Sequence, residues 1–146
     1  MSLGHEAIYL VPALRILNYF ITYITQFMTM EKFMLIIRED LKRIGALTDE
    51  ERFSNMPEQM EWIKSIAESG NYVTGEPLEI RGRYVSKNEV LSDGPFIEAK
   101  EGIAGYDMIM AENIDQAVAI AQMCPLVMKG VAVIEVRPVS MLDTLS

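Results

Sequence analysis

Apolar residues recur at helical spacing through the chain before Glu31, and the polar residues between them fall on the opposite side of the same helix. A membrane-spanning helix does not usually keep so regular a polar stripe, and a signal peptide would carry positive charge ahead of its apolar core. The pattern predicts an amphipathic helix over residues 13–28, packed against the domain or a partner subunit rather than spanning a membrane. A second interpretation is that the natural start is Met30. The apolar positions are Ala13, Ile16, Leu17, Phe20, Ile21, Ile24, Phe27 and Met28, and the polar ones are Arg15, Asn18, Thr22, Thr25, Gln26 and Thr29.

From Glu31 onward the pattern alternates between strands and helices. Residues 33–37 are a continuous apolar run, as expected for a strand covered on both faces. Residues 38–55 are polar and predict a long connection, in which Thr48 has capping-box spacing to Glu51 and starts a short helical turn. Further strands are expected at residues 72–74, 78–80, 83–85, 89–91, 103–111 and 131–136.

Two longer helices are expected between these strands. Pro57 suits the first turn of one helix, which Gly70-Asn71 ends, and Asn113 suits the N-cap of the other, which Pro125 ends. The residues expected to face inward are Met60, Ile63 and Ala67 in the first helix, with Trp62 and Ile66 beside them, and Ile114, Ala117, Val118 and Ala121 in the second.

The order strand, helix, strands, helix, strand predicts an α+β fold of the ferredoxin-like plan, with both helices on one face of an antiparallel sheet. Strands 33–37 and 131–136 are apolar on both faces, yet two helices cover only one. The other face needs a cover, most simply the same sheet of a second subunit, and two facing sheets would enclose room for a ligand. We therefore expect a homodimer, with a helical extension at 1–29, the domain at 30–140 and a tail at 141–146.

Composition narrows the possible functions. The net charge is −8 with no basic stripe, which argues against direct nucleic-acid binding. The single cysteine, Cys124, cannot form an intramolecular disulfide, so a cytoplasmic protein is expected. The single histidine, His5, excludes a His-rich zinc site, and no metal-ligand spacing or nucleotide fingerprint is present. We expect neither a metal nor a cofactor.

The segment from Ser92 to Glu101 combines a turn signal with a cluster of ionisable groups just before a strand, and charged loops of this kind often carry function. Its Asp93-Gly94-Pro95-Phe96 resembles the signature of the DGPF type of YCII-related proteins. The resemblance covers about residues 30–138. It also rests on the Phe33–Arg38 opening, Trp62, Gly70, the run Gly75-Glu76-Pro77-Leu78, Glu98, Lys100-Glu101, Gly105-Tyr106, Cys124-Pro125 and the Val133–Pro138 ending.

The resemblance implies a dimeric α+β barrel, and the chain departs from the family in two places. Better studied relatives pair a histidine with an aspartate in their cavity, but no histidine follows residue 30 here, so a His–Asp general base is excluded. Many members have Gly-Gly-Tyr where this chain has Ala104-Gly105-Tyr106; Gly105 still permits close backbone approach.

Each candidate site residue has a structural alternative. Asp93 is the candidate catalytic acid–base residue, or else it only stabilises its turn. Arg38 follows an apolar strand and is placed to bind a carboxylate or phosphate, or else pairs with Asp93 or Glu98. Asp107 interrupts an apolar strand and is either a helix-face partner or a buried group with a purpose. The other candidate ligand-binding residues are Glu98, Lys100, Glu101 and Tyr106, of which the first three equally suit a solvated charged loop.

Two classes of function remain open. In the first, the dimer binds a small polar metabolite and has an accessory or regulatory role, with Asp93 and Arg38 lining one cavity. In the second, it is a small cofactor-independent enzyme that uses carboxylate acid–base chemistry. Cys124 precedes Pro125 at a helix end rather than at a helix amino terminus, which argues against a nucleophile. No residue identifies the ligand or substrate.

Overall fold

The computed structural model describes residues 6–28, 30–91 and 102–140. The chain divides into two compact units, Met1–Met30 and Glu31–Ser146. In the first unit, helix α1 spans Glu6–Met28 and contains Pro12. This confirms that residues 13–28 are helical. All the described side chains of α1, at 11–25, are exposed, so its packing against protein stays a prediction. Among the described residues, no helix has the length and apolarity that crossing a membrane requires.

The second unit is an α+β domain built on a four-stranded antiparallel sheet, which confirms the predicted class. The order across the sheet is β2-β5-β1-β6, so the first and third of the main strands lie in the middle. A separate hairpin, β3–β4, lies outside this sheet. The elements are β1 (Glu31–Glu39), α2 (Leu41–Ala46), α3 (Asp49–Ser54), α4 (Met56–Glu68), β2 (Tyr72–Pro77), β3 (Tyr84–Val85), β4 (Val90–Leu91), β5 (Gly102–Ala111), α5 (Ile114–Gln122), α6 (Pro125–Met128) and β6 (Ala132–Pro138).

The core lies between one face of this sheet and helices α4 and α5. Phe33, Leu35 and Ile109 are fully buried on the sheet side because alternate residues of β1 and β5 point the same way. Trp62 and Ile66 of α4 and Ala117 and Ala121 of α5 cover them. The side of the sheet that bears Phe33 and Leu35 is called the helix face below, and the opposite side is called the open face.

Both predicted helix faces need correction. In α4 the buried pair is Trp62 and Ile66, whereas Met60 is 62% exposed and Ala67 is exposed as well. In α5, Ala117 and Ala121 are buried as expected, but Ile114 and Val118 are exposed. The apolar stripe of each helix is wider than the part that meets the sheet, so spacing alone does not select the buried residues. The Trp62 ring, held by its indole N–H donating to the carbonyl of Ile120 at 3.3 Å, fixes the rotation of α4.

The connections follow local capping chemistry. Thr48 and Glu51 form the predicted capping box of α3, and the Asn113 side chain accepts a hydrogen bond from the Gln116 backbone at 3.0 Å to cap α5. Gly70, with a φ of 78°, ends the α4 segment in a conformation that favours glycine.

Two predicted element bounds differ from the structure. The predicted strand at residues 78–80 is wrong: only Leu78 extends the β2 ladder, donating its backbone N–H to the carbonyl of Ala104. The predicted connection at 38–55 begins later, because β1 runs to Glu39.

A bulge interrupts the pairing of the two central strands. Ile37 pairs with Gly105 and Arg38 pairs with Ile103, so Ala104 is an extra residue on β5. Beyond the bulge the faces of β5 are exchanged. Gly102 is buried under Leu41 of α2, while Ile103 lies beside Arg38 and is 45% exposed.

Candidate functional site

The open face of the sheet carries side chains in cross-strand rows. The register places Tyr106, Ile36 and Glu135 in one row and Met108, Met34 and Arg137 in the next. The bulge places Ile103, Arg38 and Val133 in a third row, on the other side of the first. Most of these side chains are only half-buried, since the helices cover the other face. Apolar side chains, several of them methionines, thus occupy the middle of the open face. Charged groups lie towards β6, at Arg38, Glu135 and Arg137, and at Glu76 on the opposite edge strand β2.

Arg38 is held on this face by a carboxylate of the neighbouring strand. Its Nε and one terminal nitrogen, Nη2, both donate to Oε2 of Glu135, at 3.2 and 3.0 Å. The other oxygen of Glu135 lies 3.7 Å from Nε of Arg137. Arg38 and Glu135 keep 35% and 39% of their side-chain surface exposed, so the pair remains accessible from the open face. The sequence predicted an ion pair of Arg38 with Asp93 or Glu98 as one alternative, and no motif marked Glu135 as its partner.

Tyr106 lies in the same row as Glu135 and one row from Arg38. It pairs with Ile36 on β1 and with Glu76 on β2, and Ile36 in turn pairs with Glu135. Tyr106 and Arg38 are therefore on the same face of the sheet, two residues apart along the direction of β1. The structure brings together these two of the residues that the sequence predicted for ligand binding.

The described residues do not include the rest of that set. Asp93, Glu98, Lys100 and Glu101 all lie in the segment 92–101, outside the described residues. Their assignment to a site, and the expectation that Asp93 shares a cavity with Arg38, stay predictions.

A second polar cluster lies on the helix face, at Asp107. Its side chain is 5% exposed and accepts a hydrogen bond from the Tyr72 hydroxyl. Burial raises the pKa of Asp107 from 3.8 to about 6, and the bond from Tyr72 opposes that rise. Gly75, the cross-strand partner of Asp107, leaves room for the carboxylate because it has no side chain. In the sequence, Asp107 is the single acid in an apolar strand, and the structure confirms the alternative that it is a buried group.

Glu39, at the end of β1, is the second acid that the fold partly buries. Its carboxylate is 13% exposed and accepts a hydrogen bond from Nη2 of Arg43 at 3.0 Å. Burial raises its pKa, and the charge and hydrogen bond of Arg43 lower it. No sequence motif marks this pair, because Arg43 approaches Glu39 only once α2 has formed.

A family model described as the YCII-related domain matches residues 31–140, which is most of the chain and includes every strand of the sheet. The chain belongs to the YCII-related family. No curated protein matches it. The expected resemblance is thus confirmed at the level of the family.

The prediction that Cys124 lies at a helix end and not at a helix amino terminus is wrong. Cys124 is the N-cap residue of the short helix α6 of the YCII-related domain. Its side chain is fully buried and contacts the side-chain amide of Gln59 at 3.6 Å. A sulfur with no exposed surface packs as a small apolar group, so this position contributes to the core rather than to chemistry at the surface.

The YCII-related domain also has a groove of 690 Å³ on its outer helical side, which the sequence did not predict. Trp62, Ile66 and Ile120 line its floor, and an ion pair of Lys129 with Glu58 at 2.5 Å lies at its rim. Its lining residues belong to α4, α5, α6 and the ends of these helices, and Arg38 is not among them. Within the described ranges, no three acids, cysteines or histidines come close enough together to hold a metal ion.

Proposed function

We propose that this YCII-related domain forms a homodimer through its open sheet faces and binds a small polar molecule between them, in an accessory or regulatory role. The observation that carries the proposal is the Arg38–Glu135 pair, a guanidinium and a carboxylate that stay about a third exposed on an otherwise largely apolar sheet face. A charged pair in such surroundings recognises ligands that carry charge of both signs or many oxygen atoms.

The composition of the open face supports the dimer. Met34, Ile36, Met108 and Met110 are only half-buried there, whereas Phe33, Leu35 and Ile109 on the helix face are fully buried. Two such faces packed together would remove this apolar area from water, which is the main favourable contribution to association. Methionine side chains adapt to irregular gaps, so they suit an interface that also leaves space for a ligand.

The polar groups of the open face support a ligand with a carboxylate or phosphate. Arg38 donates hydrogen bonds from Nε and Nη2 to Glu135. No described residue accepts a hydrogen bond from its Nη1. A ligand oxygen would accept a hydrogen bond from Nη1 of Arg38, and the Tyr106 hydroxyl is a further donor on the same face. In this proposal Glu98, Lys100 and Glu101 lie at the rim of the cavity and Asp93 lines it together with Arg38.

Light scattering tests the dimer by comparing the mass of the native protein with those of the variants Ile36→Lys and Met60→Lys. Ile36 is on the open face, whereas Met60 is exposed on α4, so the two variants add the same charge in different places. We expect Ile36→Lys to halve the mass and Met60→Lys to leave it unchanged. A native monomer at micromolar concentration contradicts the dimer.

The ligand is tested by a thermal-shift screen against small carboxylates, phosphates and amino acids. We expect the compounds that raise the melting temperature of native protein to lose their effect on Arg38→Gln and keep it on Arg81→Gln. Arg81 is exposed and outside the sheet, so its variant controls for the lost charge. Equal shifts of the melting temperature in both variants would show that Arg38 does not bind the ligand.

The alternative function is a small enzyme that uses carboxylate acid–base chemistry. A carboxyl group with a pKa of about 6, that of Asp107, favours it because such a group exchanges protons near neutral pH. Asp93 is the second candidate. If Asp93 is catalytic, Asp93→Asn loses turnover with an unchanged melting temperature; if it only stabilises its turn, the same change costs about 1 kcal/mol of stability and ligand binding persists.

A further inference from the structure

The charges of the open face lie towards its two edges and differ in sign. Towards the β6 edge, the guanidiniums of Arg38 and Arg137 flank the single carboxylate of Glu135, so two positive charges and one negative charge leave an excess of one positive charge. At the β2 edge, Glu76 is exposed and forms no ion pair with a described residue. The register places Glu76 beside Tyr106, on the same face. The open face is thus positive at one edge and negative at the other.

These two edges do not neutralise each other within one chain. Strands β5 and β1 lie between β2 and β6. Neighbouring strands are about 4.8 Å apart, so the backbones of the two edge strands are separated by about 14 Å. Glu76 and Arg137 accordingly form no ion pair in their own subunit. Arg137 keeps 67% of its side-chain surface exposed and has only the shared carboxylate of Glu135 beside it.

Two copies of the sheet that face each other have two symmetric arrangements. A dimer axis that lies between the sheets and perpendicular to the strands places β2 over β2 and β6 over β6, so Glu76 meets Glu76 and the two positive clusters meet each other. An axis parallel to the strands lays the order β2-β5-β1-β6 over its reverse, so β2 of each subunit lies over β6 of the other. Electrostatic complementarity favours the second arrangement, because like charges that face each other across an interface are costly.

We propose that the site at Arg38 is completed by the second subunit, with Glu76 of the partner subunit paired to Arg137 and Tyr106 of the partner subunit lying over Ile36. The inference rests on the dimer of open faces in the proposed function and adds which edges of the two sheets meet.

The cross-strand row of Tyr106 and Ile36 explains how the partner reaches the site. These two residues pair with each other on the two central strands, β5 and β1. The reversed order lays their row over itself, so each Tyr106 faces the Ile36 of the other copy. Ile36 lies two residues before Arg38 on the same face of β1. A ligand held by Arg38 therefore contacts both subunits, and neither subunit forms the whole site alone.

Analytical ultracentrifugation of the full chain tests the pairing of edges through the dissociation constant of the dimer. We expect Glu76→Gln to raise this constant about three- to tenfold, because the amide has the same shape but loses the attraction to Arg137. With β2 over β2, the same change would remove a repulsion and lower the constant, so the direction of the change distinguishes the two arrangements. Glu61→Gln, which neutralises an exposed acid on α4, is the matched control and should leave the constant unchanged.

Charge exchange provides a second measurement. Glu76→Arg and Arg137→Glu should each raise the dissociation constant at least about tenfold, because each places like charges opposite one another. The double variant restores opposite charges and should return to within about threefold of the native protein. A native dimer that Glu76→Gln tightens or leaves unchanged, or that the double variant does not restore, overturns this inference alone. A native monomer overturns both this inference and the dimer of the proposed function.

Discussion

The carboxylate of Asp107 lies over Gly75 of the neighbouring strand, in the space that a β-carbon at that position would need. Tyr72, from the same strand as Gly75, donates its hydroxyl to this carboxylate. A missing side chain and a tyrosine on β2 thus accommodate one buried acid on β5. The relationship explains why a charged residue is tolerated in an apolar strand.

Gly75→Ala should be strongly destabilising. The new methyl group would overlap the Asp107 carboxylate and come within 2.8 Å of the Tyr106 carbonyl oxygen, so either the hydrogen bond from Tyr72 or the strand pairing must change. We expect a loss of about 1–3 kcal/mol in denaturant unfolding, as for other overpacked sites. Gly82→Ala is the matched control, since no atom lies within 4 Å of its added carbon. Equal stabilities of the two variants would contradict this packing.

Asp107→Asn should remove a specific pH dependence of stability. The folded pKa of about 6 exceeds the ordinary 3.8, so the folded protein binds the proton more tightly. The stabilisation is complete below pH 3.8 and is lost as the pH rises towards about 6. We expect the native protein to lose about 2–3 kcal/mol across this window relative to Asp107→Asn, measured by urea unfolding at a series of pH values.

Tyr72→Phe provides the complementary measurement. Because the Tyr72 hydroxyl lowers the pKa of Asp107, its removal should move the pH-dependent window upward. The double variant with Asp107→Asn should show no such movement. An unchanged window in Tyr72→Phe would mean that the hydrogen bond does not act on the carboxylate.

Glu135→Gln should strengthen the binding of anions at Arg38. The amide keeps the shape of the glutamate but removes the charge that occupies two N–H groups of the guanidinium. We expect a dissociation constant about three- to tenfold lower for any carboxylate or phosphate ligand found in the screen. Glu76→Gln, on the same face of the sheet beyond Tyr106, is the control and should have a smaller effect. Weaker binding in Glu135→Gln would indicate that the carboxylate itself contacts the ligand.

Asn113→Ala should cost about 1 kcal/mol of stability, because the amide oxygen caps the helix that buries Ala117 and Ala121. Asn113→Asp retains an oxygen acceptor and should remain close to the native protein. Thermal unfolding distinguishes the two. Equal losses in both variants would contradict the capping role.

The sequence predicted the order of elements better than their contacts. Strand β5, helix α5 and its Asn113 cap were evident because period and capping are local properties. The rotation of α4 was missed, since Met60 and Trp62 are both apolar and only tertiary packing selects between them. The partner of Arg38 was missed for a related reason. Glu135 is far away in sequence, and only the antiparallel register of β1 and β6 brings it close.

The bulge at Ala104 gives β5 one residue more than its pairing with β1 requires. Deleting this one residue would restore regular pairing and leave Ile103 opposite Arg38 and Gly102 opposite Glu39, each on the face that it occupies now. A strand shortened in this way should therefore keep Gly102 beneath Leu41, and related chains that lack the extra residue should have the same two faces.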